Sequence, residues 1–223
     1  MIRYAVFDLD ETITARGTWG RFVNLSVRRR PWRFFGIWGR AALGQLLYKT
    51  TSLERVSVKR GMLRWSLTGQ SRERLHALAE DFAAQEVATG LRPGALRAIT
   101  AHRAAGDTII IASAAADLVA NAIAEKLDIT HVVATKLAWD NGVCADDFAS
   151  ENCYGAGKLT ALRTYLETFP DYRREVVHIT LYTDSYSDLP VLEFADKGVA
   201  VNADAKLQAA SPVYGFETVD WSN

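Results

Sequence analysis

Close to the amino terminus, Asp8-Leu9-Asp10-Glu11-Thr12 sets two carboxylates two positions apart, directly after the apolar run Tyr4-Ala5-Val6-Phe7. Far along the chain Asp184 and Asp188 stand four positions apart, and Ser113 and Lys158 lie between the two acidic pairs. A phosphate monoester is already anionic, so a carboxylate attacks it only where strong positive charge holds the partners together and stabilises the transferring oxygens. Magnesium supplies such charge. Asp8, Asp10 and Asp184 would form a hard-oxygen set for an octahedral cation that keeps several waters. In this reading Asp8 is a nucleophile that carries the phosphoryl group as an aspartyl-phosphate. Asp10 acts as acid for the leaving alkoxide and then, having lost its proton, as base for water. Ser113 donates a hydroxyl to a phosphoryl oxygen, and Lys158 supplies a fixed ammonium that lessens repulsion among the acids. Asp188 is suited to holding metal-bound water or orienting Lys158.

These residues need elements that bring them together. Tyr4 to Phe7 reads as a buried strand with Asp8 at its carboxyl end, and Thr108 to Ala112 as a second strand closed by Ser113. A helix from about Gly94 to Ala105 precedes that strand, and Asp117 to Leu127 follows as a helix. Then come a short strand from His131 to Ala134 and a hairpin through Asp140-Asn141-Gly142. A helix from about Gly157 to Thr168 leads into a strand from Val176 to Tyr182, just ahead of Asp184, and Gly198 to Val201 is a last short strand. Strands alternating with helices predict a Rossmann-like α/β fold, a parallel sheet with helices on both faces. Ligands of such sheets bind at the carboxyl ends of the strands, where Asp8, Ser113 and Asp184 all fall. Residues between Thr12 and Gly94 have no place in the alternation. They are expected to form an inserted helical cap, 14–90, on a core of 1–13 and 91–223, with Ser71 capping a helix that carries Leu75, Leu78, Ala79 and Phe82.

The strand ending in Ser113, Asn152-Cys153-Tyr154-Gly155-Ala156-Gly157-Lys158 and Asp184-Ser185-Tyr186-Ser187-Asp188-Leu189-Pro190, taken with Asp8 to Thr12, resemble the four ordered motifs of haloacid dehalogenase superfamily phosphatases. With the insertion between the first two motifs, and with the tail Val199 to Leu207, the chain is similar to the phosphoserine-phosphatase-like branch, subfamily IB. The resemblance implies Asp8 as nucleophile and Asp10 as acid/base. It implies Ser113, Lys158 and Thr12 at the phosphate, and magnesium on Asp8, Asp184 and the Asp10 carbonyl. It also covers phosphatidylglycerophosphate phosphatases, whose caps are apolar and basic. Phosphoserine phosphatases carry a glutamate shortly after the first motif to receive the substrate ammonium. Here Gly17 stands at that distance, beside Arg16, Thr18 and Trp19, and no acid follows until Glu54. The leaving group is therefore expected to be anionic or apolar rather than an amino acid.

Composition narrows the partners. The 223 residues carry a formal net charge of zero, which points to no nucleic-acid partner. Arg16, Arg21, Arg28, Arg29, Arg30, Arg33, Arg40 and Lys49 nevertheless stand in one acid-free stretch, Thr12 to Leu53. Arginines beside Trp32, Phe34, Phe35 and Trp38 give segment 28–48 the pattern of an interfacial helix on anionic lipid. The alternative is a cap core whose arginines reach water. Cys144 and Cys153 lack metal or disulfide spacing, and His76, His102, His131 and His178 are scattered, so a reduced cytoplasmic setting is expected, peripheral to the membrane if 28–48 binds lipid. The oligomeric state is not indicated. The expected substrate is a phosphorylated small molecule or lipid. A phosphotransferase, a phosphate-binding module and a dehalogenase are the alternatives on the same core; Asp10 argues against the binding module, and the full acidic set against the dehalogenase.

Overall fold

The structure, a computed structural model, describes residues 2–28 and 55–222. Strands β1 (Ile2–Phe7), β2 (Thr108–Ala116), β3 (His131–Thr135), β6 (Val177–Thr183), β7 (Lys197–Val201) and β8 (Glu217–Val219) form one sheet in the order β3-β2-β1-β6-β7-β8, parallel throughout. β1 lies inside the sheet, pairing with β2 and β6, and its residues Tyr4 to Phe7 are buried. That is the environment a continuous apolar run needs, because a strand covered on both faces has no solvent side to make polar.

Alternate residues of the strands feed two cores. Ala5, Phe7, Ile109 and Ile111 pack with α3 (Arg72–Thr89), α4 (Pro93–Ala104) and α5 (Asp117–Lys126). Tyr4, Val6, Ile110, Ile179 and Leu181 face the other way, toward α6 (Ala156–Leu166), α7 (Leu189–Phe194) and α8 (Ala205–Tyr214). The fold is thus the expected Rossmann-like α/β sandwich.

Two stretches differ from the sequence reading. β2 runs on past Ser113 to Ala116, with a register irregularity between those two residues against β3, so Ser113 sits inside the strand at a bulge rather than at its end. A bulge bends a strand and re-aims side chains, which is how a buried position can still serve a site. β8 and α8 are additional elements: β8 is three residues long and mostly exposed, and α8 holds Pro212.

Between Thr14 and Leu91, which form an antiparallel bridge, the described elements are α1 (Trp19–Val27), α2 (Arg55–Ser66) and α3. Ser71 caps α3 as expected, accepting a hydrogen bond from the Arg74 amide at 3.3 Å. The predicted hairpin is present as β4 (Leu137–Asp140) and β5 (Val143–Phe148), turned by Asn141 (φ 47°) and Gly142 (φ 82°). It does more than connect: Gly69 N donates to Cys144 O at 2.9 Å, Cys144 N to Gln70 O at 2.9 Å and Arg72 N to Gly142 O at 2.8 Å. The turn between α2 and α3 is thereby stitched to the hairpin, which fixes α2 relative to the sheet. Segment 28–48 lies outside the described residues apart from Arg28. Among the described residues no helix is long and apolar enough to cross a membrane.

Candidate active site

Asp8 extends β1 by one residue, its amide donating to Tyr182 O at 2.9 Å, so its carboxylate emerges at the carboxyl end of an interior strand. The chain then turns sharply. Glu11 adopts φ 60°, a left-handed conformation that costs a non-glycine residue about 1 kcal/mol or more. Thr14 closes the turn, its amide and hydroxyl both donating to Leu9 O, at 2.9 and 3.0 Å.

Within this turn the two acids have different partners. Asp8 Oδ1 receives Lys158 Nζ at 3.0 Å. Asp10 Oδ1 instead accepts from the amide and hydroxyl of Thr18, at 2.8 and 2.7 Å. Burial raises the Asp10 carboxyl above its ordinary range, while the Thr18 hydrogen bonds and then Lys158 and Lys59 oppose it. Such a group can hold a proton and part with it, as an acid/base must.

Lys158 sits in the first turn of α6, where the helix end disfavours a cation. It is held by Asp8 and by Asp188 Oδ2 at 2.6 Å, and all three groups are buried. Burial alone would lower the Lys158 pKa; Asp188 and Asp8 outweigh it and raise it, so the ammonium stays charged. The approach to α6 needs Gly155, at φ 56°, and Gly157, where a Cβ would lie 2.6 Å from Asn152 O.

Asp188 is fixed in turn by Thr183, whose hydroxyl donates to Oδ2 at 2.8 Å. Its other oxygen, Oδ1, is buried without a hydrogen-bond partner among the described residues. Asp184 follows β6, and its Oδ1 accepts from Thr12 Oγ1 at 3.1 Å. Thr12, expected at the phosphate, thus spends its hydroxyl hydrogen on Asp184. Burial raises the Asp184 carboxyl to about 6 against the Thr12 bond, and Glu11 adds to the rise. Ser113 is buried, and its Oγ accepts from Ala115 N at 3.1 Å, leaving the hydroxyl hydrogen to donate.

Sequence reasoning therefore named side chains that the fold does gather at one edge. It missed Thr18, Thr183 and Lys59. Thr18 lies ten residues past Asp8 with no motif of its own, and Lys59 comes from α2, in the inserted segment.

Of the four acids, Asp8 and Asp188 share the Lys158 ammonium, while Asp10 and Asp184 are held by Thr18 and Thr12. Burial, with the neighbouring Asp188, Asp184 and Asp10, raises the Asp8 carboxyl although Lys158 pulls it down. The donor set fits a hard divalent cation. Among the described residues no three His, Cys, Asp or Glu side chains could hold an ion by themselves. Asp8, Asp184 and the Asp10 carbonyl would therefore be supplemented by water, the sparse protein coordination that magnesium accepts. The unpartnered Asp188 Oδ1 is a ready acceptor for such a water.

The model of the haloacid dehalogenase-like hydrolase family matches residues 5–193 of the chain. A phosphoserine phosphatase of Mycobacterium tuberculosis is 27% identical over 97% of this chain and 70% of its own length. Another protein of that organism, named a probable phosphatase, is 33% identical over 56% of this chain and 42% of its own length. Among solved structures, a protein of unknown function from Bordetella pertussis superposes with a TM-score of 0.85 over 99% of both chains, at 21% identity.

Proposed function

This chain belongs to the haloacid dehalogenase-like hydrolase family, and from that premise we propose that it is a magnesium-dependent phosphomonoesterase that works through an aspartyl-phosphate on Asp8. The observation that carries the reading is the pairing of Asp8 with Lys158 at 3.0 Å while Asp10, two residues on, is held apart by Thr18. One carboxylate is kept beside fixed positive charge and the other is left to exchange a proton.

Asp8 attacks phosphorus, and the bond to the ester oxygen breaks. The Asp10 carboxylic acid gives its proton to the departing alkoxide. The resulting Asp10 carboxylate then takes a proton from water, whose oxygen attacks the phosphorus of phospho-Asp8; the acyl phosphate P–O bond breaks, releasing inorganic phosphate and restoring both carboxyl groups. Ser113 and Lys158 hold the non-bridging oxygens, and Asp188 with Thr183 keeps Lys158 in place. Asp8, Asp184 and the Asp10 carbonyl would hold magnesium, which when bound withdraws charge from the transferring oxygens.

We take residues 14–90 as the cap over this edge, and a small or lipid-borne phosphomonoester as the substrate. Phosphoserine is a poor candidate although a relative carries that name. An amino-acid leaving group needs a carboxylate for its ammonium, and Gly17, Thr18 and Trp19 offer none. Membrane contact through 28–48 remains part of the proposal for a phosphatidylglycerophosphate-like substrate.

The test is phosphate release from phosphoserine, histidinol phosphate, sugar phosphates and phosphatidylglycerophosphate, with magnesium and with chelator. Turnover is expected only with magnesium. Full activity in chelator would reject the mechanism.

A further inference from the structure

Lys59 is a second lysine of the site, partly buried where Lys158 is fully buried, and it is wired differently from Lys158. Its neighbours on α2 serve the outer surface: Arg60 pairs with Asp147 at 2.6 Å and Arg64 donates to Asp146 O at 3.0 Å. Lys59 Nζ instead donates to Ala114 O and, at 3.1 Å, to Asn152 Oδ1. It lies 4.8 Å from the centre of the Phe148 ring and 5.7 Å from that of Trp19. Ala114 follows Ser113, and Asn152 opens the loop that leads to Lys158.

The same two acceptors meet a third group. Thr135, buried at the end of β3, places its Oγ1 at 3.1 Å from Ala114 O and 3.2 Å from Asn152 Oδ1, and accepts from Cys153 N at 3.1 Å. A hydroxyl has one hydrogen, so Thr135 cannot satisfy both acceptors. The Lys59 ammonium, with three, supplies what is missing.

Resting on the phosphatase reading, we propose that Lys59 is a positioning residue for phosphoryl transfer: from α2 it ties the Ser113–Ala115 bulge to the Asn152 loop and so fixes the spacing of the ligands that receive the phosphoryl oxygens. Burial brings its pKa down to about 8, as expected for an ammonium whose hydrogen-bonded partners are neutral oxygens rather than carboxylates. Without it, Ala114 O and Asn152 Oδ1 compete for the single Thr135 hydrogen, and the two loops lose their common support.

The test is a double-mutant cycle on kcat/KM for p-nitrophenyl phosphate with magnesium, using Lys59→Met, Asn152→Ala and both together. Each single variant is expected to lose about 10- to 100-fold, the scale of a misplacement near 1 Å. The double variant should fall no more than about twofold below the worse single, because both remove the same tie. Lys59→Arg should recover part of the loss, and Arg64→Ala on the same helix should stay within about twofold of wild type. Thermal melts should show all variants folded; if Lys59→Met does not fold, Lys59→Gln takes its place in the cycle. Fully additive losses would overturn the proposal by showing that Lys59 acts separately from Asn152. Wild-type turnover with an unaffected Lys59→Met would overturn it too and leave the phosphatase reading standing. A wild-type chain that releases no phosphate would overturn that reading itself.

Discussion

Two lysines from two regions of the molecule serve this site, and their surroundings are opposite in character. Lys158, from the first turn of α6, lies between the carboxylates of Asp8 and Asp188 and is held in its charged form. Lys59, from the helical segment inserted between Thr14 and Leu91, meets a carbonyl, an amide oxygen and two aromatic rings, and burial weakens its hold on a proton. The sheet edge is thus compensated from within, as a buried charge must be if it is to be kept. Lys59 is compensated only in part: its hydrogen-bonded partners are neutral dipoles, and Asp10 and Asp117 act on it without a hydrogen bond. On the proposed reading, Lys158 would serve the chemistry at the edge and Lys59 would set its geometry from the helical segment.

The comparison can be broken by removing each charge in turn. Lys158→Met would leave Asp8 and Asp188 buried against each other without their cation. Turnover should fall by at least about 1,000-fold, and denaturant unfolding should show a loss of about 3 kcal/mol. A variant as stable as wild type would mean that the edge does not depend on its own ion pairs. Lys59→Met should be the reverse case, with a clear loss of turnover and a smaller change in stability, since no carboxylate loses a hydrogen-bonded partner and Asp10 keeps its bonds from Thr18. Equal destabilisation by the two substitutions would erase the distinction between edge and helical segment.

The next effect down sits within the insertion. Arg21 makes a two-pronged contact with Glu86, which is 1% exposed, while the Arg21 guanidinium also lies 5.4 Å from the Phe82 ring centre. Arg21→Met should cost about 2–3 kcal/mol in unfolding measurements, because Glu86 keeps its burial and loses its partner, yet kcat should change less than about threefold. A collapse of kcat would place this ion pair in the catalytic geometry rather than in the packing of the helices.

The smallest effect is expected at the far side of α4, where Asp107 joins Arg3 at 2.6 Å and His102 at 2.7 Å. Burial would raise the Asp107 carboxyl, but the His102 and Arg3 hydrogen bonds outweigh it and hold it below its usual 3.8. A depressed acid contributes stability above its unfolded pKa and loses it as pH falls through the folded value. Asp107→Asn should therefore lower the melting temperature by a few degrees near pH 7. The gap to wild type should start to narrow as pH falls below about 4 and close once pH has passed the lower folded value; a gap that stays constant throughout the acid range would show that the contact is not electrostatic.

How much of this could be read in the residues follows the same division. Asp8, Asp10, Asp184, Lys158 and Asp188 lie beside apolar strands or in a helix's first turn, so local pattern and strand-end logic locate them together. Lys59 carries no such signal: α2 is a polar helix with three other basic residues, and what distinguishes Lys59 from Arg60 is contact with Ala114 and Asn152, 55 and 93 residues away. Thr18 is legible only once the turn at Glu11 is known, and a left-handed glutamate is not something its sequence announces. The bulge after Ser113 was missed because an Ala-rich run, Ala114-Ala115-Ala116, favours neither strand nor turn strongly. The hairpin was visible in Asn141-Gly142, whereas its stitching to the turn before α3 runs mostly between backbone groups, with one side-chain bond from Thr68 Oγ1 to Ala145 O at 3.1 Å, and leaves little mark on composition.

The central claim is that Asp8 takes the phosphoryl group, and the most direct measurement is a rapid acid quench during turnover of p-nitrophenyl phosphate, followed by peptide mass spectrometry. The expected result is the mass of one phosphoryl group on the peptide that contains Asp8, labile to hydroxylamine and absent from Asp8→Asn, which should also release no phosphate. Undiminished turnover by Asp8→Asn, or a phosphoryl group on another residue, would contradict the account.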